Sequence, residues 1–198
     1  MFCHSIRSLF VATGLFAAGC AIATEQEVVY TARTGDTLIA LEKRFLANPY
    51  VWKNLKARNR IVDPMRIPVG TPVKIPVGWL RAEPLTARVV AMQGDVSMDG
   101  RALKLDSKVP AGALLRTGEG AFITLVMPDE SRLTVQPQSV ARFTKVQGFQ
   151  GFEGQNTEVS LEHGRVETRA APQRGPAARY QIRTPTTTVS VRRPGTRR

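Results

Sequence analysis

Cysteine is almost absent from this 198-residue chain, which holds only Cys3 and Cys20, both before residue 24. Beyond that point no disulfide framework, thiolate nucleophile or cysteine-based zinc site can be built. Histidine is equally scarce, and His163 is the only one after His4. It stands beside Gly164 with no second metal ligand near it in sequence, so it reads as a surface or packing residue. Glycine-rich phosphate loops, nucleophile elbows and His/Glu zinc motifs are missing as well. The carboxylate pair Asp129-Glu130 falls at a hairpin-like turn, where solvated turn chemistry explains it. Together these absences argue against an enzyme, and no catalytic residue, metal site or cofactor is assigned. Long apolar runs are lacking after residue 23. Ala121–Met127 suits a strand and is far short of the roughly 20 residues of a membrane-spanning helix.

Positive charge, by contrast, is plentiful: 28 Lys and Arg stand against 16 Asp and Glu, giving a net +12 and a pI near 10.6. Two regions carry most of it. Residues 161–198 hold nine Arg and no Lys against Glu162 and Glu167. A second stretch has Lys43, Arg44, Lys53, Lys56, Arg58, Arg60 and Arg66 against Glu42 and Asp63, and it reads either as a solvated helix face or as a contact for wall anions. Such an excess favours an anionic partner, whether nucleic acid, an acidic membrane surface or a wall polymer. Nucleic acid is disfavoured, because no recognition motif accompanies the charge and the apolar N-terminal stretch described next is expected to direct the chain out of the cytoplasm. A mean hydropathy of −0.15 and 42% hydrophobic residues exclude a disordered tail, a collagen and a polytopic membrane protein. The length allows one or two small domains.

Residues 1–23 read as a secretory signal peptide. Arg7 supplies the positive start, an apolar run extends from Leu9 to Ala23, and Ala21-Ile22-Ala23 forms a small-residue cleavage site. A second processing route competes with this one. Ala17-Ala18-Gly19-Cys20 resembles a loose bacterial lipobox, in which Cys20 would be lipidated and become the new N-terminus. Either route implies export to the periplasm or cell envelope, with lipid anchoring in the second.

Residues 27–77 carry a compact strand, helix, helix, strand pattern. Glu27–Arg33 alternates as a short strand. Thr34-Gly35-Asp36-Thr37 forms a turn in which Asp36 or Thr37 caps the next helix. Leu38, Leu41 and Phe45 lie at helical spacing, which predicts a helix over 37–46. Pro49 is placed to open a second helix running through Arg58, with Trp52 and Leu55 on its apolar face. Asn59–Pro64 reads as a turn, and Val73–Pro76 closes the unit as a second strand. Trp52 is expected in the core rather than as a sugar platform.

These residues resemble the LysM family. The pattern is carried by Tyr30-Thr-Ala-Arg33, Gly35-Asp36-Thr37-Leu38, Phe45, Trp52, Leu55, Asn59, Ile61, Asp63-Pro64, Ile67, Val69-Gly70 and Val73-Lys-Ile75-Pro76. The resemblance implies binding of β-1,4-linked N-acetylglucosamine chains such as peptidoglycan or chitin, in a groove between two loops. The implied glycan-binding residues are Gly35, Asp36, Thr37 and Leu38 on one side and Asn59, Arg60, Ile61, Val62 and Asp63 on the other. Each of these positions also has a structural use: Asp36 and Thr37 as helix caps, Asn59 and Asp63 in turns, Leu38 and Ile61 as core.

A linker is expected over 78–86, with Gly78 and Pro84 flanking Trp79-Leu80. From residue 87 the helical period disappears. Arg88–Met92, Gly94–Met98, Ala121–Met127, Ser131–Val135, Ser139–Phe143 and Thr157–Leu161 are short runs, most of them separated by turn residues, the rhythm of an all-β roll, sandwich or solenoid. Val90-Ala-Met-Gln-Gly94-Asp-Val, Val109–Gly118, Ala121–Met127, Asp129–Pro137, Leu161–Val166 and Tyr180–Arg192 resemble the FecR domain family. The pattern departs after Arg192, so the resemblance implies a β-domain over 87–198 that is truncated at its C-terminus. The expected architecture is therefore α+β, a small βααβ LysM module followed by an all-β FecR-like domain. The expected function is an exported peptidoglycan-binding protein whose β-domain meets an envelope protein partner. The alternative is a periplasmic signalling component that binds a membrane protein.

Overall fold

The computed structural model describes residues 25–172 and 175–191. Residues 1–24, where a signal peptide and the lipidation candidate Cys20 are expected, and the chain after Val191 lie outside the described residues. In chain order the elements are β1 (Glu27–Thr31), α1 (Leu38–Phe45), α2 (Trp52–Asn59), β2 (Pro72–Pro76), β3 (Ala82–Pro84), β4 (Thr86–Gln93), β5 (Val96–Met98), β6 (Arg101–Ala102), β7 (Lys108–Pro110), β8 (Leu114–Thr117), β9 (Phe122–Val126), β10 (Arg132–Val135), β11 (Val140–Phe149), β12 (Phe152–His163), β13 (Val166–Arg169), β14 (Arg179–Arg183) and β15 (Thr188–Val191). The chain is α+β: two short helices lie in the first module and, after a 3-10 turn at Val77–Trp79, every regular element described is β.

In the first module β1 and β2 pair antiparallel, with Tyr30 opposite Val73 and Val28 opposite Ile75. Alternation along β1 turns Val28 and Tyr30 inward, where they meet Leu38, Leu41, Phe45 and Leu55 from the helices. Thr37 caps α1, its hydroxyl accepting from the Ala40 amide at 3.0 Å. The second helix begins later than Pro49 suggests. Tyr50 adopts φ +68, which breaks the run, and α2 starts at Trp52. No side chain of its own N-cap serves this helix. Glu42 of α1 does so instead, its buried carboxylate accepting from the Tyr50 and Trp52 amides at 2.8 and 2.7 Å. Trp52 is half-buried against the core, as its apolar position in the pattern predicts.

The connecting residues are themselves structured. Leu80 is buried and bridges to Leu46, while the Arg81 guanidinium donates to the Lys43 and Leu46 carbonyls at the end of α1. Such bonds occupy carbonyls that a helix terminus leaves without partners. Residues 82–84 then pair with 147–149 of β11.

Beyond the connection lie two sheets. One has the order β13-β10-β9-β4-β7, the other β15-β14-β12-β11-β8-β5-β6, with β3 joined to the edge of β11. Among the described residues all pairings are antiparallel except β12 with β14, which is parallel. Val89, Ile123, Leu125 and Leu133 from the first sheet and Leu115, Phe143, Val159 and Tyr180 from the second form one continuous core. Of the three β architectures the sequence allows, this is the sandwich. The chain passes repeatedly from sheet to sheet, and the turns hold it tightly. At Gly164, with φ +88, an added Cβ would collide with Ser139. Ser139 in turn bonds through its hydroxyl with the Arg165 amide, and its own amide donates to Thr117 Oγ1. Glu158, buried on β12, pairs with Lys145 of β11 at 3.4 Å and Arg183 of β14 at 3.0 Å, tying three strands together.

Among the described residues the β11–β12 hairpin is the longest, and its tip enters the first module. Phe149 and Ala177 are buried in the same cluster as Phe45, Leu46 and Leu80. Phe152 meets Phe45 edge-on with ring centroids 5.0 Å apart, and Phe45 lies 5.2 Å from Tyr30. Between the two phenylalanines Gly151 has φ +77, and a Cβ there would stand 2.6 Å from Phe45 Cε1.

Candidate functional site

Two loops of the first module face one another across an open groove of about 580 Å³, lined by Thr34, Gly35, Asp36, Asp63, Met65, Arg66, Ile67, Pro68 and Val69. Backbone hydrogen bonds stitch its two sides: the Leu38 amide donates to Pro64 O at 2.9 Å and the Ile67 amide to Asp36 O at 3.4 Å. Asp36 Oδ2 accepts from the Tyr30 hydroxyl at 2.8 Å and the Arg33 amide at 2.7 Å, which fixes the first loop. Burial pushes the Tyr30 hydroxyl above its ordinary pKa. The bond to Asp36 and that carboxylate's charge push it further, while Arg33 and Arg44 pull the other way. Asp63 orders the second loop by accepting from the Met65 amide at 2.8 Å.

Of the nine residues expected at a glycan groove, the structure brings Gly35, Asp36 and Asp63 together along its walls. Thr37 is occupied as the cap of α1. Leu38 and Ile61 are buried in the module core. The Asn59 amide donates to Leu55 O and Lys74 O and accepts from the Lys74 amide at 2.7 Å, which pins α2 to β2. Arg60 closes α2 with φ +53, and Val62 stands 90% exposed beside it; neither lines the groove. The sequence pattern did not single out Thr34, Met65, Arg66, Pro68 or Val69 as site residues. A large apolar side chain in a proline-flanked turn was the available signal: Met65 is 62% and Val69 68% exposed.

Such a groove suits a sugar. Apolar walls accept the C–H face of a pyranose or a methyl group, while nearby carboxylates and the Arg66 guanidinium offer partners for hydroxyl and amide groups. Within the basic stretch, Arg58 is already committed, with Nε 2.6 Å from Glu27 and Nη2 3.0 Å from Glu25. Hydrogen bonding to Glu27 raises its pKa further above the ordinary arginine value. Among the described residues no group of three or more His, Cys, Asp or Glu is arranged to hold a metal.

Fold and groove together define a two-domain protein, a small βααβ module joined to a β-sandwich. The comparisons give each part its family. The LysM domain family matches residues 30–76 and the FecR protein family matches residues 113–197, so the chain carries a LysM domain followed by a FecR domain. No curated protein and no solved structure matches the chain. LysM domains bind N-acetylglucosamine-containing glycans such as peptidoglycan, and FecR domains point to envelope signalling and protein partners. Neither is an enzymatic family, and both occur in envelope-associated proteins. Among the described residues no helix is long and apolar enough to cross a membrane.

Proposed function

We propose that the protein is exported to the periplasm or cell envelope and binds peptidoglycan, or a related N-acetylglucosamine polymer, in the groove between residues 34–36 and 63–69. The FecR domain then presents an interaction surface to an envelope protein. The observation that carries this reading is the convergence of Gly35, Asp36 and Asp63 with the exposed Met65 and Val69 in one open groove of a LysM domain. Gly35, Asp36 and Asp63 contact glycan directly in this reading, whereas Thr37, Leu38, Asn59 and Ile61 hold the loops and Arg60 and Val62 flank them.

Purified protein is expected to co-sediment with insoluble peptidoglycan. The Asp63→Ala and Met65→Ala double variant is expected to bind about tenfold more weakly, a loss of one charged hydrogen-bonding group and one apolar contact. Protein that stays in the supernatant overturns the reading. The FecR match over 113–197 favours a second reading, a signalling component positioned by its glycan contact. Pull-down from an envelope extract tests it, since that reading requires a stoichiometric membrane-protein partner.

A further inference from the structure

A second groove of about 580 Å³ opens on the other side of the first loop. It shares Thr34 and Val69 with the first groove, so the two are neighbours on the module surface. Its walls come from both domains. The first supplies Tyr30, Arg33, Arg44 and Phe45, and the tip of the β11–β12 hairpin supplies Gly151 and Phe152. Both arginines are exposed, and among the described residues neither is ion-paired. Arg44 lines the groove with its guanidinium over the Phe45 ring, 4.9 Å from the centroid. No acidic residue lines this groove. The Asp36 carboxylate, bonded to the groove residue Tyr30, is engaged by the Tyr30 hydroxyl and the Arg33 amide.

We propose that this interdomain groove is an anionic subsite, in which Arg33 and Arg44 receive a carboxylate-bearing substituent of the same glycan chain that occupies the first groove. The inference rests on the glycan reading above and adds a specificity to it. An uncharged N-acetylglucosamine chain fills the first groove alone, whereas a chain bearing peptide or lactyl carboxylates engages both. The subsite is incomplete without the FecR domain, because its hairpin tip forms one wall and packs behind Phe45.

Calorimetric titration at low salt separates the two levels. The probes are an uncharged N-acetylglucosamine hexamer and soluble peptidoglycan chains that retain their peptides. The wild-type protein is expected to prefer the peptide-bearing chains by roughly three- to tenfold, the scale of two exposed charge contacts, and to lose that preference as salt rises. The Arg33→Gln and Arg44→Gln double variant is expected to lose the preference while keeping its affinity for the hexamer. Lysine at both positions is expected to restore much of it. Equal wild-type affinity for the two probes overturns the subsite but leaves the glycan reading intact, as does a double variant that keeps its preference. Failure of both probes to bind overturns the glycan reading and the subsite with it.

Discussion

Single side chains in this protein often serve elements far from their own. Glu42 belongs to α1 by sequence, but its carboxylate is the cap of α2. Glu42→Ala is expected to destabilise the protein by about 1–3 kcal/mol, because two amides at a helix start lose a charged acceptor. A shift in the urea unfolding midpoint measures it. Tyr180 shows a different dependence. Its ring is buried in the sandwich core, and that burial raises the hydroxyl pKa above 10.0, with Asp129 adding to the shift and the Thr168 hydroxyl, 2.8 Å away, opposing it. A raised phenol pKa means that ionisation favours the unfolded chain. Stability from this group is therefore complete below about pH 10 and falls as pH rises through the folded-state value. Tyr180→Phe is expected to flatten that alkaline decline in denaturant melts taken between pH 9 and 11.

At the scale of elements, the hairpin tip decides how the domains meet. Gly151 needs a left-handed backbone and leaves no space for a side chain against Phe45. Gly151→Val combines a φ that β-branched residues avoid with a collision against a buried ring. It is expected to cost about 2–4 kcal/mol and to raise amide hydrogen exchange in α1 as the tip lifts away. Much at this scale was legible in the chain. Leu38, Leu41 and Phe45 foretold α1, and the short turn-bounded runs at 121–127, 131–135 and 157–161 foretold β9, β10 and part of β12. The late start of α2 was not, because the left-handed Tyr50 and the Glu42 carboxylate that holds its amide are paired across eight residues. Short strands such as β6, β7 and β13 also escaped, since two to four residues carry too little alternation to register.

For the whole molecule, the shared cluster around Phe45, Leu80, Phe149 and Ala177 couples the LysM domain to the sandwich. One cooperative thermal transition is expected by calorimetry. Phe149→Ala removes a buried ring from that junction and is expected to cost about 3–5 kcal/mol, splitting the transition in two. Glycan bound in the first groove is expected, in hydrogen exchange, to protect the tip of the β11–β12 hairpin as well as the LysM loops.

Helix periods, short turn-bounded β runs, turn glycines and the two family patterns that these make up are all written in the chain itself. All of these depend on neighbours within a few residues, so they survive without knowledge of the fold. The tertiary structure decided which of nine expected residues line a groove, and it consumed Asn59 and Thr37 in backbone bonds while exposing Met65 and Val69. It also placed Phe152 beside Phe45 across more than a hundred residues of chain. That contact depends on the register of β11 against β12 and β3, a long-range pairing that no local pattern encodes.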